Sequence, residues 1–335
     1  MTTRRSHGRR LWGLTIAVVA LATAIVLSVL VGSAQVGAAD VWRALTDPDG
    51  SVQDLVVLDL RIPRTVAALV VGVGLGVSGA LIQALTRNPL GDPGILGVDA
   101  GAALFVAIGV LLGASAPVQY LPFACAGALV VTALVYLIGS AGRDGPDPVR
   151  LTLAGVALAA VLTGITTAMM LLDPVSFAQL RGWNAGSFVE RGVDVIAPAL
   201  GFIIAGVVIA LLCARSLNAV ALGDELASAL GTRLATTRAL SVVAITLLAG
   251  AATAIAGPIG FVGLMVPHIA RWIVGPDQRW IVWYSILIAP TVLLVSDTIG
   301  RVILWPSEVP VGIVTAFVGA PVLIHLVRRA KASAL

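Results

Sequence analysis

The chain reads as a succession of long apolar runs separated by short breaks that carry charge, glycine or proline. The runs fall near residues 11–32, 64–85, 95–113, 118–139, 150–172, 193–213, 238–256, 258–275, 280–296 and 310–327. Most approach the roughly 20 residues that a helix needs to cross a bilayer. The pattern predicts an all-α, polytopic membrane protein of about ten transmembrane helices, a single transmembrane domain over 1–335 with no room for a separate soluble unit. The first run follows Arg4, Arg5, Arg9 and Arg10 and precedes Gly32-Ser33-Ala34, as a secretory signal would. Its apolar stretch exceeds the about 7–15 residues of a signal core, so a retained first span is expected.

Composition agrees with that pattern. Of 335 residues, 59% are hydrophobic and only 11% charged, too few charges to solvate the surface of an ordinary soluble enzyme, which is roughly a quarter charged. The sole lysine, Lys331, lies in the terminal tail, so no G-x-x-x-x-G-K-[ST] phosphate loop exists and any nucleotide hydrolysis must occur on another polypeptide. Cys125 and Cys213 sit inside apolar runs and are too few for a metal cluster or a disulfide framework. The net charge of +4 does not signal nucleic acid, because the arginines are scattered between apolar segments.

Placing both termini in the cytoplasm puts most basic residues inside, among them Arg87, Arg143, Arg150, Arg215, Arg233, Arg238, Arg271 and Arg279. The outer connections then hold most acids, Asp297 and Glu308 included. Few carboxylates remain within the spans, which argues against an ion-coupled carrier, since such carriers keep ionisable groups at mid-membrane depth. An intramembrane enzyme is disfavoured by the absence of H-E-x-x-H, paired aspartates or a serine-histidine pair. Gly74, Gly76 and Gly79 form G-x-G-x-x-G with Asp99 further on, on paper a dinucleotide fingerprint. The flanking segments are unbroken apolar runs rather than a strand and an amphipathic helix, so these glycines are read as surfaces for close helix packing.

Four segments stand out as polar. Asp59-Leu60-Arg61-Ile62-Pro63-Arg64, with Arg301 on the same side, fits either interfacial anchors or a positive rim awaiting an acidic partner. Asn88, Pro89, Asp92 and Pro93 stop a helix and build a re-entrant turn or a plain connection. The connection 214–237 contains Leu222-Gly223-Asp224-Glu225-Leu226, where two acids open a short helix suited to docking into a groove of a soluble partner, or to lying on the lipid surface. In the fourth, Gly257 to Arg271, His268 has no second ligand nearby and reads as a capping or buried polar contact rather than a metal site.

Taken in order, Arg61-Ile62-Pro63-Arg64, Arg87-Asn88-Pro89-Leu90-Gly91-Asp92-Pro93, Leu222-Gly223-Asp224-Glu225-Leu226-Ala227, Gly260 to Arg271 and Glu308 to Thr315 resemble the iron-siderophore, haem and cobalamin permease family of ABC importers. The resemblance runs from about residue 50 to the C-terminus. It implies a permease subunit in the bacterial cell membrane that pairs with a second copy or a paralogue to enclose a translocation path. Two ATPase subunits would carry the ATP and magnesium, and no cofactor would be held here. A separate extracytoplasmic binding protein would deliver the chelate. By the same resemblance Arg61, Arg64 and Arg301 meet glutamates of that binding protein, and 222–226 belongs to the helix that meets the ATPase. The fifth span, with Gly155, Ala159, Thr163, Gly164 and Thr167, lines the path. The substrate implied is a ferric siderophore, with haem or cobalamin as alternatives.

Overall fold

Each apolar run of the sequence is helical in the computed structural model, which describes residues 2–34, 36–141, 147–174 and 177–332. The helices are α1 (Thr2–Leu30), α2 (Ala38–Thr46), α3 (Val52–Leu55), α4 (Ile62–Thr86), α5 (Val98–Leu111), α6 (Pro117–Gly139), α7 (Pro148–Leu172), α8 (Ala178–Asn184), α9 (Val193–Val220), α10 (Asp224–Ala229), α11 (Leu234–Ala256), α12 (Val262–Val274), α13 (Gln278–Val302) and α14 (Val311–Ala332). A π-helical segment, Val56–Arg61, joins α3 to α4, and a 3-10 turn, Pro93–Leu96, leads into α5. Among the described residues there is no strand. Seven helical stretches among the described residues are long and apolar enough to cross a membrane, while α5, α12 and the apolar part of α14 are shorter. Arg143, assigned above to the inner face, lies outside the described residues.

α9 and α13 run past their expected ends. α9 continues to Val220 because Asn218 on its last turn donates to Asp277 Oδ1 (2.9 Å) and accepts from Gln278 N (2.8 Å). α13 continues to Val302 because Asp297 and Arg301, read above as an outer connection, pair one turn apart on the helix itself. The docking connection thereby shrinks from 214–237 to the residues between Val220 and Leu234. The short helix α2 was not anticipated; it buries Val41 and Ala44 against Val57 in a small satellite core beside the end of α1.

The centre of the bundle is α4, flanked by α11, α12 and α13. Small residues permit this crowding, since lipid supplies no hydrophobic drive for helix association and close van der Waals approach must supply it. A Cβ at Gly72 would stand 2.5 Å from Pro290 Cα on α13, one at Gly76 would stand 2.5 Å from Ala289 Cβ, and one at Gly79 would stand 1.9 Å from the Gly263 carbonyl oxygen on α12. Gln83, one turn beyond Gly79, donates to the Leu264 carbonyl at 2.9 Å. The glycines of the apparent dinucleotide fingerprint are thus buried within α4 as packing surfaces. α7 is the opposite case, with only 11% of its apolar window buried against 78% for α4.

Gly79→Val should therefore lower the stability of the detergent-solubilised protein by roughly 2 kcal/mol or more. Gly164→Ala, where an added Cβ meets nothing within 4 Å, should leave it unchanged. Thermal unfolding of the two variants beside the wild type checks this, and equal melting of Gly79→Val would contradict the packing account.

Candidate functional site

One end of the bundle gathers the starts of α4 and α9 and the ends of α1 and α13. α1 stops at Leu30 and leaves its last carbonyls without intrahelical donors. Arginines supply them: Arg61 Nη1 donates to Val29 O (2.9 Å) and Leu30 O (2.8 Å), and its Nη2 to Ala34 O (2.8 Å). Arg301 Nη1 donates to Ser28 O at 2.7 Å. Cations at a helix C-terminus also meet its partial negative charge.

Asp297 is fully buried and sits between two of these guanidiniums. Arg64 donates to both of its oxygens, Nη2 to Oδ1 at 2.7 Å, and Arg301 Nε donates to Oδ2 at 2.9 Å. Arg64 Nη1 also donates to Glu308 Oε2 (2.6 Å), while Ser33 Oγ donates to Oε1 (2.7 Å). Burial pushes the Glu308 carboxyl up, but the hydrogen bonds from Arg64 and Ser33 and the charges of Arg64 and Arg301 outweigh it and hold the group below its ordinary value. The structure thus brings Arg61, Arg64 and Arg301 together, as the sequence suggested, but does not leave them as an exposed rim. Arg61 and Arg301 are buried and committed to carbonyls or to Asp297, and the Arg64 side chain is 12% exposed. They form the floor of a cavity of about 350 Å³, with Arg191 a fourth arginine in its wall and the exposed acids Asp59 and Glu190 beside it.

The other end carries α10. Asp224 is not a free docking charge: its Oδ2 accepts from Arg238 Nη2 on α11 at 2.7 Å, and its Oδ1 accepts from Arg87, which also donates to Val220 O at 2.8 Å. Burial raises the Asp224 carboxyl, yet the bonds and charges of Arg238 and Arg87 prevail and lower it. Gly223, at φ +109°, lets the chain turn into the helix. What α10 leaves open is Glu225 and the apolar side chains of Leu222, Leu226 and Leu230, which are 60%, 57% and 66% exposed.

Between the ends, Ala159, Thr163 and Thr167 of α7 line a cavity of about 360 Å³ together with Thr166, Met170, Asn184 and Asp99. Asp99 Oδ1 accepts from Thr253 Oγ1 at 2.7 Å. Gly155 and Gly164 do not line this cavity. Gly155 is buried against the 3-10 turn, where a Cβ would stand 1.8 Å from the Ile95 carbonyl oxygen, and Gly164 faces open space. Of the acids placed above in the outer connections, Asp297 lies instead in α13, while Asp99 sits in the first turn of α5. The turn over 88–93 is built as expected, with Asn88 Oδ1 accepting from Leu90 N (2.9 Å), Asp92 Oδ1 accepting from Gly94 N (2.9 Å), and Pro93 opening the 3-10 turn. His268 is no cap: it stands edge-on to Trp272 at 5.1 Å, and its Nδ1 has no partner among the described residues. No group of three or more potential metal ligands occurs among the described residues.

A helical bundle with many membrane-length apolar segments, a polar cavity at one end, a tethered short helix at the other and a lined cavity between them defines a multi-pass membrane transport protein. Residues 20–329 match the FecCD transport family, and the chain belongs to it. It is 49% identical over 310 residues to the ferric enterobactin transport system permease protein of Escherichia coli (strain K12), covering 92% of each chain. It is 40% identical to the vitamin B12 import system permease protein of Yersinia enterocolitica, covering 88% of each. A solved metal-chelate type ABC transporter in an inward-facing conformation aligns with a TM-score of 0.81 at 28% identity, over 95% of this chain and 98% of that one.

Asp297→Ala should cost about 3–5 kcal/mol of stability, because it strands two buried guanidiniums. Joint replacement of Arg64, Asp297 and Arg301 by apolar residues should cost less, and calorimetry of the two variants decides. A carboxylate held below its ordinary value stabilises the fold fully above that value, 4.5 for Glu308, and loses the contribution as acid protonates it. Melting temperature should therefore fall more steeply below about pH 4.5 in the wild type than in Glu308→Gln, and parallel curves would contradict the Arg64–Glu308 pairing.

Proposed function

We propose that this chain is the membrane-spanning permease subunit of an ATP-driven importer of iron-siderophore chelates in the bacterial cell membrane. Its ten apolar helices span the bilayer with both termini cytoplasmic. A second copy or a close paralogue completes the translocation path, whose wall includes Ala159, Thr163 and Thr167. Two soluble ATPase subunits hold the ATP and magnesium and grip α10, and a separate extracytoplasmic binding protein delivers the chelate to the arginine end. The observation that carries this reading is α10 itself: a short helix pinned by Asp224 to two buried helices, with Glu225 and three leucines turned outward, supports a site where a soluble partner pulls on the bundle. Family membership and the ferric enterobactin permease among the relatives support the substrate class, and the vitamin B12 relative keeps cobalamin as the alternative cargo. The ion-coupled alternative finds no support among those relatives. A threonine- and asparagine-lined cavity with a single acid suits transit of a bulky solute better than tight retention.

The test is a variant that leaves the internal pins untouched. Glu225→Lys combined with Leu226→Asp should melt like the wild type, since both side chains are exposed. It should lose about tenfold or more in co-purified ATPase, about 1.4 kcal/mol, and ATP-dependent uptake of ferric siderophore into proteoliposomes should fall with it. ATPase retention with undiminished uptake would overturn the docking role, and uptake driven by an ion gradient without ATP would overturn the function.

A further inference from the structure

A helix N-terminus favours an acid in its first turn, and Asp99 occupies that place in α5. That preference explains an acid at this position but not where its charge points. Asp99 lies in the wall of the central cavity of about 360 Å³. Its Oδ1 accepts from Thr253 Oγ1 at 2.7 Å, and its Oδ2 has no hydrogen-bond partner among the described residues. A Cβ on Gly94, which also lines the cavity, would stand 3.2 Å from Asp99 Oδ2 and 3.0 Å from Asp92 Oδ1, so the two carboxyl groups converge over that glycine. Even where they share one proton, the pair keeps a negative charge.

The rest of the wall has nothing to oppose it. The residues lining the cavity include no arginine, lysine or histidine. Thr166 and Thr167 direct their hydroxyl protons one turn back along α7, to Leu162 O (2.9 Å) and Thr163 O (2.8 Å), and so present only oxygen lone pairs to a solute. The wall is therefore rich in acceptors and negative, and a charge inside it is felt more strongly than in water. Thr253 is in the last turn of α11, a helix that begins beside α10 and runs toward the opposite end. Asp99 is thus held in the half of the bundle away from α10, where cargo released by a binding protein arrives first.

We infer that Asp99 selects cargo by charge, favouring ferric chelates that are neutral or carry a protonated amine over polyanionic ones. This deepens the importer reading, on which it rests, by giving the permease its own share of selectivity. Tris-hydroxamate complexes of iron(III) fit that class, since they are neutral at the metal and gain a positive charge from any free amine. An ammonium group passing the wall donates to Asp99 and to the threonine oxygens. The anionic rim of a tris-catecholate complex meets like charge there instead.

The test uses the importer in proteoliposomes with its ATPase and binding protein, and two probes of one shape: a ferric tris-hydroxamate with a free amine, and the same chelate N-acetylated. Each is supplied at a level that saturates the binding protein, so that passage rather than capture is read. The wild type should carry the amine form about tenfold faster, as expected for a hydrogen bond to a charged group. Asp99→Asn keeps an oxygen for Thr253 and should bring the two rates close to parity, with melting and ATP hydrolysis as in the wild type. Thr163→Lys, at an exposed position in the same wall, adds a cation without touching the Thr253 bond and should remove the preference likewise, which decides the matter where Asp99→Asn melts lower. Equal rates for the two probes in the wild type, an unchanged ratio in both variants, or an equal slowing of both probes would overturn the inference and leave the importer reading intact. ATP-dependent uptake of neither probe, by an importer that moves haem or cobalamin, would overturn the siderophore class on which it rests.

Discussion

Backbone groups that lose their helical partners inside a bilayer have no water to turn to, so the protein itself must satisfy them. The described polar side chains are largely devoted to this requirement. Arg61 and Arg301 cap the open carbonyls of α1, Gln83 reaches the carbonyl of Leu264, and Asn88 and Asp92 take up amide groups in the turn that leads into α5. Because arginines perform part of the capping, their charge must be answered in turn, and buried Asp297 answers it. The polar machinery at that end of the bundle therefore follows from where one helix stops.

The same constraint explains what could be read without a structure. Apolar runs must be helical in this setting, so their positions gave the helices directly, and the glycines of α4 could be recognised as packing surfaces because no strand stood beside them. The motif Arg61-Ile62-Pro63-Arg64 and the acids of α10 were visible as departures from the apolar background. Their partners were not, since Arg64 reaches Asp297 and Glu308, and Asp224 reaches Arg87 and Arg238, across long stretches of chain. Proximity in sequence separated Asp297 from the spans, although its spacing of one helical turn from Arg301 was a signal that α13 continued. Gly155 and Thr163 looked alike as small residues on a pale helix, and only the position of the 3-10 turn tells that one is a contact and the other a wall.

Arg191 and Asp99 had no sequence signal of their own. The first sits beside an acid in a short connection and would pass for half of a surface pair; the second was noticed only as part of a false fingerprint. Each acquires meaning from a cavity made by segments far apart in the chain. Asp99 in the wall of the central cavity and Arg191 at the arginine end are ionisable groups that the capping of helix ends does not use.

The way Asp224 is tied down has a mechanical outcome. It clasps Arg87 at the tail of α4 and Arg238 near the head of α11, the two helices most enclosed by their neighbours. α4 runs without a break for 25 residues and carries Arg64 in its first turn, so a displacement of α10 is handed to a stiff rod whose far tip is the arginine floor. Travel at one face of the bilayer thus reaches the other through a single unbroken helix, with no flexible loop in the line to absorb the stroke.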